Sequence, residues 1–222
     1  MPKPSDWQRN ASAFRNVNVV HTPGMADQLM KEVAPLLAAE GIDLDDPTTF
    51  DVETLNAALA RAVERRNFEL FVATGDRLSY ARTVLRIFTE AVGDGQRELA
   101  EAEIWSVEPE PTDAAKASVG QVIGVSAGLV DSWHSGPELD AMLSRTVVPG
   151  WGSRGRAAAA DILALARKGR AFDSIGALHR RHSGLAIVEG GALAVAATLI
   201  ALSKSQDKDL REITAELLAS ES

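Results

Sequence analysis

One apolar run near the C-terminus constrains the fold of this chain more than any other feature. The run LAIVEGGALAVAATLIAL extends from Leu185 to Leu202 and contains one charged residue, Glu189. Its length is at the short limit for crossing a bilayer, and a central acid raises the cost of insertion by roughly 2.5–3.5 kcal/mol. A helix that is apolar nearly all round is otherwise buried in a protein core. The run therefore predicts a central core helix and no membrane anchor.

Small residues recur at helical spacing in two segments. The first stripe consists of Gly120, Gly124 and Gly128, and the second of Gly190, Ala194, Ala197 with Thr198, and Ala201. Glycine inside a helix costs about 1 kcal/mol relative to alanine, so aligned glycines indicate the close approach of another backbone. We predict that the two stripes pack against each other, within one chain or across a dimer.

Apolar residues repeat with a period of 3.6 along most of the chain, and no convincing strand pattern is present. Helices are predicted at about 25–40, 48–67, 76–91, 112–135, 137–145, 156–168, 172–182, 183–203 and 209–220. Pro35 is expected to kink or shorten the first of these. The fold is predicted to be all-α, a multi-helix bundle of about eight or nine helices.

The chain is expected to divide at the stretch EPEPT, Glu108–Thr112, because prolines and acids interrupt the helical pattern there. This gives an N-terminal arm at 1–24, an N-terminal helical subdomain at 25–107, and a C-terminal helical subdomain at 112–222 packed on it. The chain of 222 residues is long enough for a substantial core.

Composition excludes several classes of chemistry and sets the expected compartment. No cysteine is present, which excludes disulfides, thiolate metal sites and cysteine nucleophiles. The first 18 residues are polar and lack the apolar region of a secretory signal. We therefore expect a cytoplasmic protein, and the abundance of alanine is typical of a GC-rich bacterial genome.

The net charge of −8 argues against general affinity for nucleic acids, but the charge is unevenly distributed. Eight arginines and lysines oppose two acids from Arg145 to His182, so this tract carries +6 and the remaining residues carry −14. A basic tract of this kind is typical of an anion-binding surface. The alternative is that it docks on the chain's own acidic stretch, Glu98–Asp113.

The loop GWGSRG, Gly150–Gly155, matches G-x-G-x-x-G, but no strand is predicted before it, so the dinucleotide-binding interpretation lacks its structural context. A helix does follow, and glycines at a helix N-terminus expose amide groups to anions. Ser153, Arg154 and Arg156 are therefore candidates for binding an anion such as phosphate. A plain flexible linker is the competing interpretation.

Two pairs of residues have the spacing of metal ligands on a helix. Asp131 and His134 are three residues apart, as are His179 and His182, and Glu189 would complete a nitrogen and oxygen ligand set. Two arginines lie between His179 and His182, which disfavours a cation there. Solvated or capping histidines are the better interpretation, and we predict no metal and no cofactor.

Glu189 is the one candidate for a buried carboxylate. An acid inside an apolar helix is costly unless it is paired, and such groups often have functional roles. One alternative is a salt bridge to an arginine at the edge of the core. The other places Glu189 on an exposed first turn after Ser183 as the N-cap, where acids are favoured.

The stretch ADILALARKGRAFDSIGALHRRHSGLAIVEGG resembles the helix-turn-helix modules of many bacterial regulators over residues 160–195. The resemblance implies a first helix ending at Lys168–Gly169–Arg170 and a third helix opening at Ser183. That third helix, which would read bases, lacks Arg, Lys, Asn and Gln. Arg180 and Arg181 in the turn are placed to contact phosphates.

Three functions remain open at this point. The leading hypothesis is a non-catalytic binding or assembly protein that self-associates, because no catalytic constellation is recognisable and the glycine stripes indicate close helix packing. The second is a DNA-associated regulator that uses the 145–182 tract with a degenerate helix-turn-helix. The third is a small-molecule-binding or metal-dependent helical enzyme centred on Glu189, Asp131 and His134.

Overall fold

The computed structural model describes residues 25–44, 46, 50–134 and 153–219, with side chains defined from residue 31 onward except at 134, 153 and 154. Within these residues it contains nine α-helices and no strand, so the prediction of an all-α bundle is confirmed. The predicted arm at 1–24 and the predicted helix at 137–145 lie outside the described residues.

The helices are named in chain order. They are α1 (Met25–Ala39), α2 (Val52–Phe71), α3 (Gly75–Gly93), α4 (Arg97–Trp105), α5 (Val119–His134), α6 (Ser153–Ala166), α7 (Ile175–His179), α8 (Gly184–Gln206) and α9 (Leu210–Leu218). Helix α1 continues through Pro35 to Ala39, so the proline does not shorten it.

Two helices differ from those predicted. The helix expected to begin at Thr112 begins at Val119, because Ser118 and Gln121 form a capping box: each side-chain oxygen accepts a hydrogen bond from the other's backbone N–H, at 3.2 and 3.1 Å. Helix α4 was not predicted, although Ala100 and Ile104 form its buried face.

The chain separates into two compact units, and the boundary lies between Glu69 and Leu70. This differs from the expected division at Glu108–Thr112. That stretch lies inside the second unit, where the N–H of Val119 donates a hydrogen bond to the carbonyl of Glu108 at 3.0 Å.

The first unit has a small core between α1 and α2. Its buried members are Val33, Leu37, Ile42, Ala58, Leu59 and Ala62. Asp51 caps α2 by accepting a hydrogen bond from the N–H of Thr54 at 2.7 Å. Glu40 pairs with Arg61 at 3.0 Å, and the hydrogen bond from Arg61 is the main reason that the pKa of Glu40 is lowered.

The second unit is built around α8, which packs against α3, α5, α6 and α9. Every residue from Gly190 to Leu199 is buried. Within the described residues, α8 is the one helix long and apolar enough to cross a bilayer, and 78% of its most apolar window is buried inside the chain. The prediction of a central core helix is confirmed.

The glycines of the first stripe do approach another backbone closely, but not that of the second stripe. A Cβ atom on Gly120 would lie 2.6 Å from the carbonyl oxygen of Leu70, and one on Gly124 would overlap the carbonyl oxygen of Phe71. Gly128 has open space.

The second stripe has its own partner. A Cβ atom on Gly190 would lie 2.6 Å from the Cβ of Ala158 in α6. Helices α5 and α8 do pack on each other, but there a Cβ on Gly191 would meet Ser126 at 2.9 Å. The two helices thus pack on each other as predicted, but within the chain the closest approaches of Gly120, Gly124 and Gly190 are to other segments. The alternative pairing across a dimer stays a prediction. Ala194 is fully buried in the same core.

Candidate functional site

Helix α4 ends in a tryptophan that lies on the surface of the second unit. Trp105 is 57% exposed, and its indole Nε1 donates a hydrogen bond to Oε1 of Glu189 at 3.0 Å. The hydrogen bond ties the end of α4 to the second turn of α8. The indole is therefore both exposed and held in one orientation.

The solvent-facing side of α4 carries three apolar residues. Leu99 is 48% exposed, and Ala102 and Trp105 are also exposed. At 3.6 residues per turn these three residues span about 120° of the helix circumference. Ala100 and Ile104 occupy the opposite, buried side.

A fourth exposed apolar residue lies on α8 beside this helix. Leu185 is 56% exposed and precedes Glu189 by four residues, so the two side chains are neighbours on one helix face. Leu185 therefore lies on the side of α8 that carries Glu189, the hydrogen-bond partner of Trp105. We call Leu99, Ala102, Trp105 and Leu185 the Trp105 surface.

Glu189 is not the buried carboxylate that the sequence suggested as a candidate. It is partly exposed, and its described partner is the indole of Trp105. The physical reason is its position: Ser183 caps α8, accepting a hydrogen bond from the N–H of Ala186 at 3.3 Å, and Glu189 follows on the part of α8 that still has a solvent-facing side.

An ionic cluster joins α6 to the turn before α8. Oδ2 of Asp161 lies 2.7 Å from Nε2 of His182 and 3.2 Å from Nη1 of Arg181. His182 thus has a carboxylate partner that sequence spacing did not indicate, and Arg181 is partly neutralised.

Asp131 has a structural partner too. Its two carboxylate oxygens accept hydrogen bonds from the N–H groups of Ala171 and Phe172, at 2.8 and 2.9 Å. The carboxylate of α5 thereby holds the turn between α6 and α7. His134 closes the same helix, and its side chain is outside the described part.

Three of the residues considered as metal ligands therefore each bind a different partner within the chain. Asp131 binds backbone amides, His182 binds Asp161, and Glu189 binds Trp105. In the part of the chain that the structure describes, no group of three or more histidines and carboxylates is arranged to hold a metal ion.

His179 lies against an aromatic ring rather than another ligand. Its ring centroid is 6.3 Å from that of Phe71, with the rings tilted by 41°. Burial of the imidazole on this side lowers the pKa of His179 below its ordinary value, although the residue as a whole is exposed.

The predicted anion-binding residues lie along α6 and the following turns. Ser153 and Arg154 are in the first turn of α6, so the second half of GWGSRG is helical, whereas 150–152 lie outside the described residues. Arg156 and Arg180 are exposed, and their side chains have no hydrogen bond or ion pair to another described residue. Arg181 pairs with Asp161.

The helix that would read bases in a helix-turn-helix is the central core helix of the unit. From Gly190 to Leu199, α8 has no exposed residue, and the exposed apolar side chain at its start is Leu185. A recognition helix must expose polar side chains to base edges. The chain order of α6, α7 and α8 follows the motif, but the burial of α8 supports a packing role for that helix.

Sequence reasoning missed the Trp105 surface because it missed α4. The pattern RELAEAEIW places Ala100 and Ile104 four residues apart, with Leu99 and Trp105 off that face. An amphipathic helix with two large apolar residues on its polar side was therefore a readable signal. The contact with Glu189 spans 84 positions and had no such signal.

Comparison of the chain with protein-family models, with curated proteins and with solved structures gave no match.

Proposed function

We propose that this protein is a non-catalytic helical assembly protein that associates with a second copy of itself through the Trp105 surface. The observation that supports this most directly is the hydrogen bond from Trp105 to Glu189, which holds an indole that is 57% exposed.

Removing the Trp105 surface from water is energetically favourable. Burying a large apolar side chain contributes roughly 1.5–3 kcal/mol, and three are left 48–57% exposed here. A tryptophan already held in place loses little additional conformational freedom on binding. Tryptophan is also enriched among the few residues that dominate interface energies.

Sedimentation equilibrium of the natural chain across a concentration series tests the proposal. We expect reversible self-association, and we expect Trp105→Ala to weaken it at least tenfold, since interface hot spots contribute about 2 kcal/mol or more. Phe68→Ala is the matched control, because Phe68 is also 57% exposed but belongs to the first unit.

The two results have distinct meanings. Equal loss in Trp105→Ala and Phe68→Ala would point to nonspecific contact between exposed aromatic residues. A natural chain that sediments as a monomer at every concentration would refute the proposal.

A further inference from the structure

We propose that the Trp105 surface of one copy docks on the solvent face of α6 in a second copy, so that acids of α4 meet cations of α6. This rests on the self-association proposed above and identifies the surface that receives it. Charge complementarity between the two helix faces is the main support.

The solvent face of α6 carries cations at both ends. Arg156 is exposed in the first turn, and Lys168 is exposed two residues after the helix ends. Neither side chain has a hydrogen bond or ion pair to another residue in the described ranges. Arg181 lies at the edge of this face, where its charge is paired with Asp161 of α6.

Between these cations the side chains of the face are short. Ala157, Ala160 and Ala164 are exposed, and their spacing places them on one side of the helix. A side chain of the partner can therefore approach the α6 backbone while the longer cations stand at the ends. The stems of arginine and lysine add apolar area to such a contact.

The face of α4 has the opposite charge. Glu98 is exposed beside Leu99, and Glu103 is partly buried at the other edge of the apolar side chains. Neither carboxylate has a hydrogen bond or ion pair within the described part of the chain, whereas Glu101 is neutralised by Arg97 at 2.7 Å. Burial raises the pKa of Glu103, so a cation from a second copy would stabilise its charged form.

The two helices are of comparable size. The 9 residues of α4 are about 13 Å long and the 14 residues of α6 about 21 Å, at 1.5 Å per residue. One such helix pair buries less than the roughly 1,600 Å² of a standard interface. Each copy carries both faces, so mutual exchange would make the contact twice and close a dimer.

Two variants with reversed charges on one face each test the inference. One variant carries Arg156→Glu and Lys168→Glu, and the other carries Glu98→Lys and Glu103→Lys. In each variant alone, the α4 face and the α6 face carry the same charge and repel each other. We therefore expect each variant to sediment as a monomer at concentrations where the natural chain associates. An equimolar mixture restores opposite charges at both contacts, and we expect it to recover the dimer mass.

The control has the same net charge in a different place. Arg170→Glu with Arg180→Glu changes the net charge from −8 to −12, as the α6 variant does, but both residues lie in the turns beyond α6. We expect this control to associate like the natural chain. Far-ultraviolet circular dichroism and melting temperature check that each variant folds. Glu98→Lys alone replaces the double variant if Glu103→Lys does not fold.

Failure of this inference is distinguishable from failure of the proposed function. Association that Trp105→Ala weakens and the α6 variant leaves unchanged would retain the function and overturn the α6 assignment. A mixture that stays monomeric would also overturn it. Binding of mixed-sequence duplex DNA at physiological salt, lost in the α6 variant but retained in the control, would assign these cations to nucleic acid instead.

Discussion

At the scale of single residues, two side chains that were considered as metal ligands make contacts that stabilise the fold. Asp131 accepts two backbone hydrogen bonds from the turn that follows α6, and His179 lies against Phe71. Both are separated by about 40 or more positions from their described partners. Each therefore links parts of the chain that are distant in sequence.

We predict that Asp131→Ala lowers the free energy of unfolding by about 2 kcal/mol, because hydrogen bonds to a charged group contribute roughly 1.5–3 kcal/mol. Asp131→Asn should lose nearly as much, since an amide has one oxygen for two N–H donors. Urea unfolding measures both. Asp173→Asn, an exposed acid in the same turn, should have little effect; equal destabilisation there would contradict the assignment.

The lowered pKa of His179 predicts that the stability of the protein depends on pH. Because the unfolded chain has the higher pKa, near 6.5, it takes up the proton first as the pH falls. Stability from neutral His179 is present above about pH 6.5 and declines below it. Melting temperatures between pH 7.5 and pH 5 should fall less for His179→Gln than for the natural chain. Parallel curves would refute this.

At the scale of elements, the glycine rows decide which helices approach closely. The missing side chain of Gly124 allows the end of α2 to approach α5 closely, and that of Gly190 allows α6 to approach α8. The capping box of Ser118 and Gln121 sets where α5 begins, and the side-chain N–H of Gln121 also donates to the carbonyl of Val72 at 3.4 Å. The start of α5 and its contact with the segment after α2 are therefore joined through one residue.

We predict that Gly124→Ala lowers the melting temperature strongly, corresponding to about 3 kcal/mol or more, because its Cβ would overlap the carbonyl oxygen of Phe71. Gly128→Ala is the matched control on the same helix. Its Cβ meets no atom within 4 Å, so the gain in helix propensity, up to about 1 kcal/mol, should leave it neutral or more stable. Similar losses in both variants would be inconsistent with these contacts.

At the scale of the whole molecule, the two units differ in the size of their cores. The first has six buried core residues among those described, and the second has a core that extends over α3 to α9. Small cores bury a smaller share of the chain's surface and are less stable. The units should therefore open at different free energies.

Hydrogen exchange followed by mass spectrometry measures this difference. We predict that amides of α8 between Gly190 and Leu199 exchange only through global unfolding, whereas those of α1 exchange through a local opening of lower free energy. A shallow dependence on denaturant for α1 and a steep one for α8 would support the prediction. The same free energy for both would indicate one cooperative unit.

The sequence by itself determined the fold class, the identity of the core helix and the N-cap at Ser183. Each of these follows from local chemistry. Apolar periodicity indicates the helices, an apolar run that contains a glutamate and many small residues indicates a core helix, and a serine hydroxyl before the first turn indicates the N-cap. Close packing at Gly120, Gly124 and Gly190 was also readable, because glycine in a helix requires a compensating contact.

Only the tertiary structure decided the partners. Spacing shows that a glycine row needs a neighbour, but not whether that neighbour is α2, α6 or α8. In the same way, the indole of Trp105 on Glu189 and the carboxylate of Asp161 on His182 join positions 84 and 21 residues apart. Such pairings depend on how helices pack in three dimensions, and no local pattern in the chain encodes them.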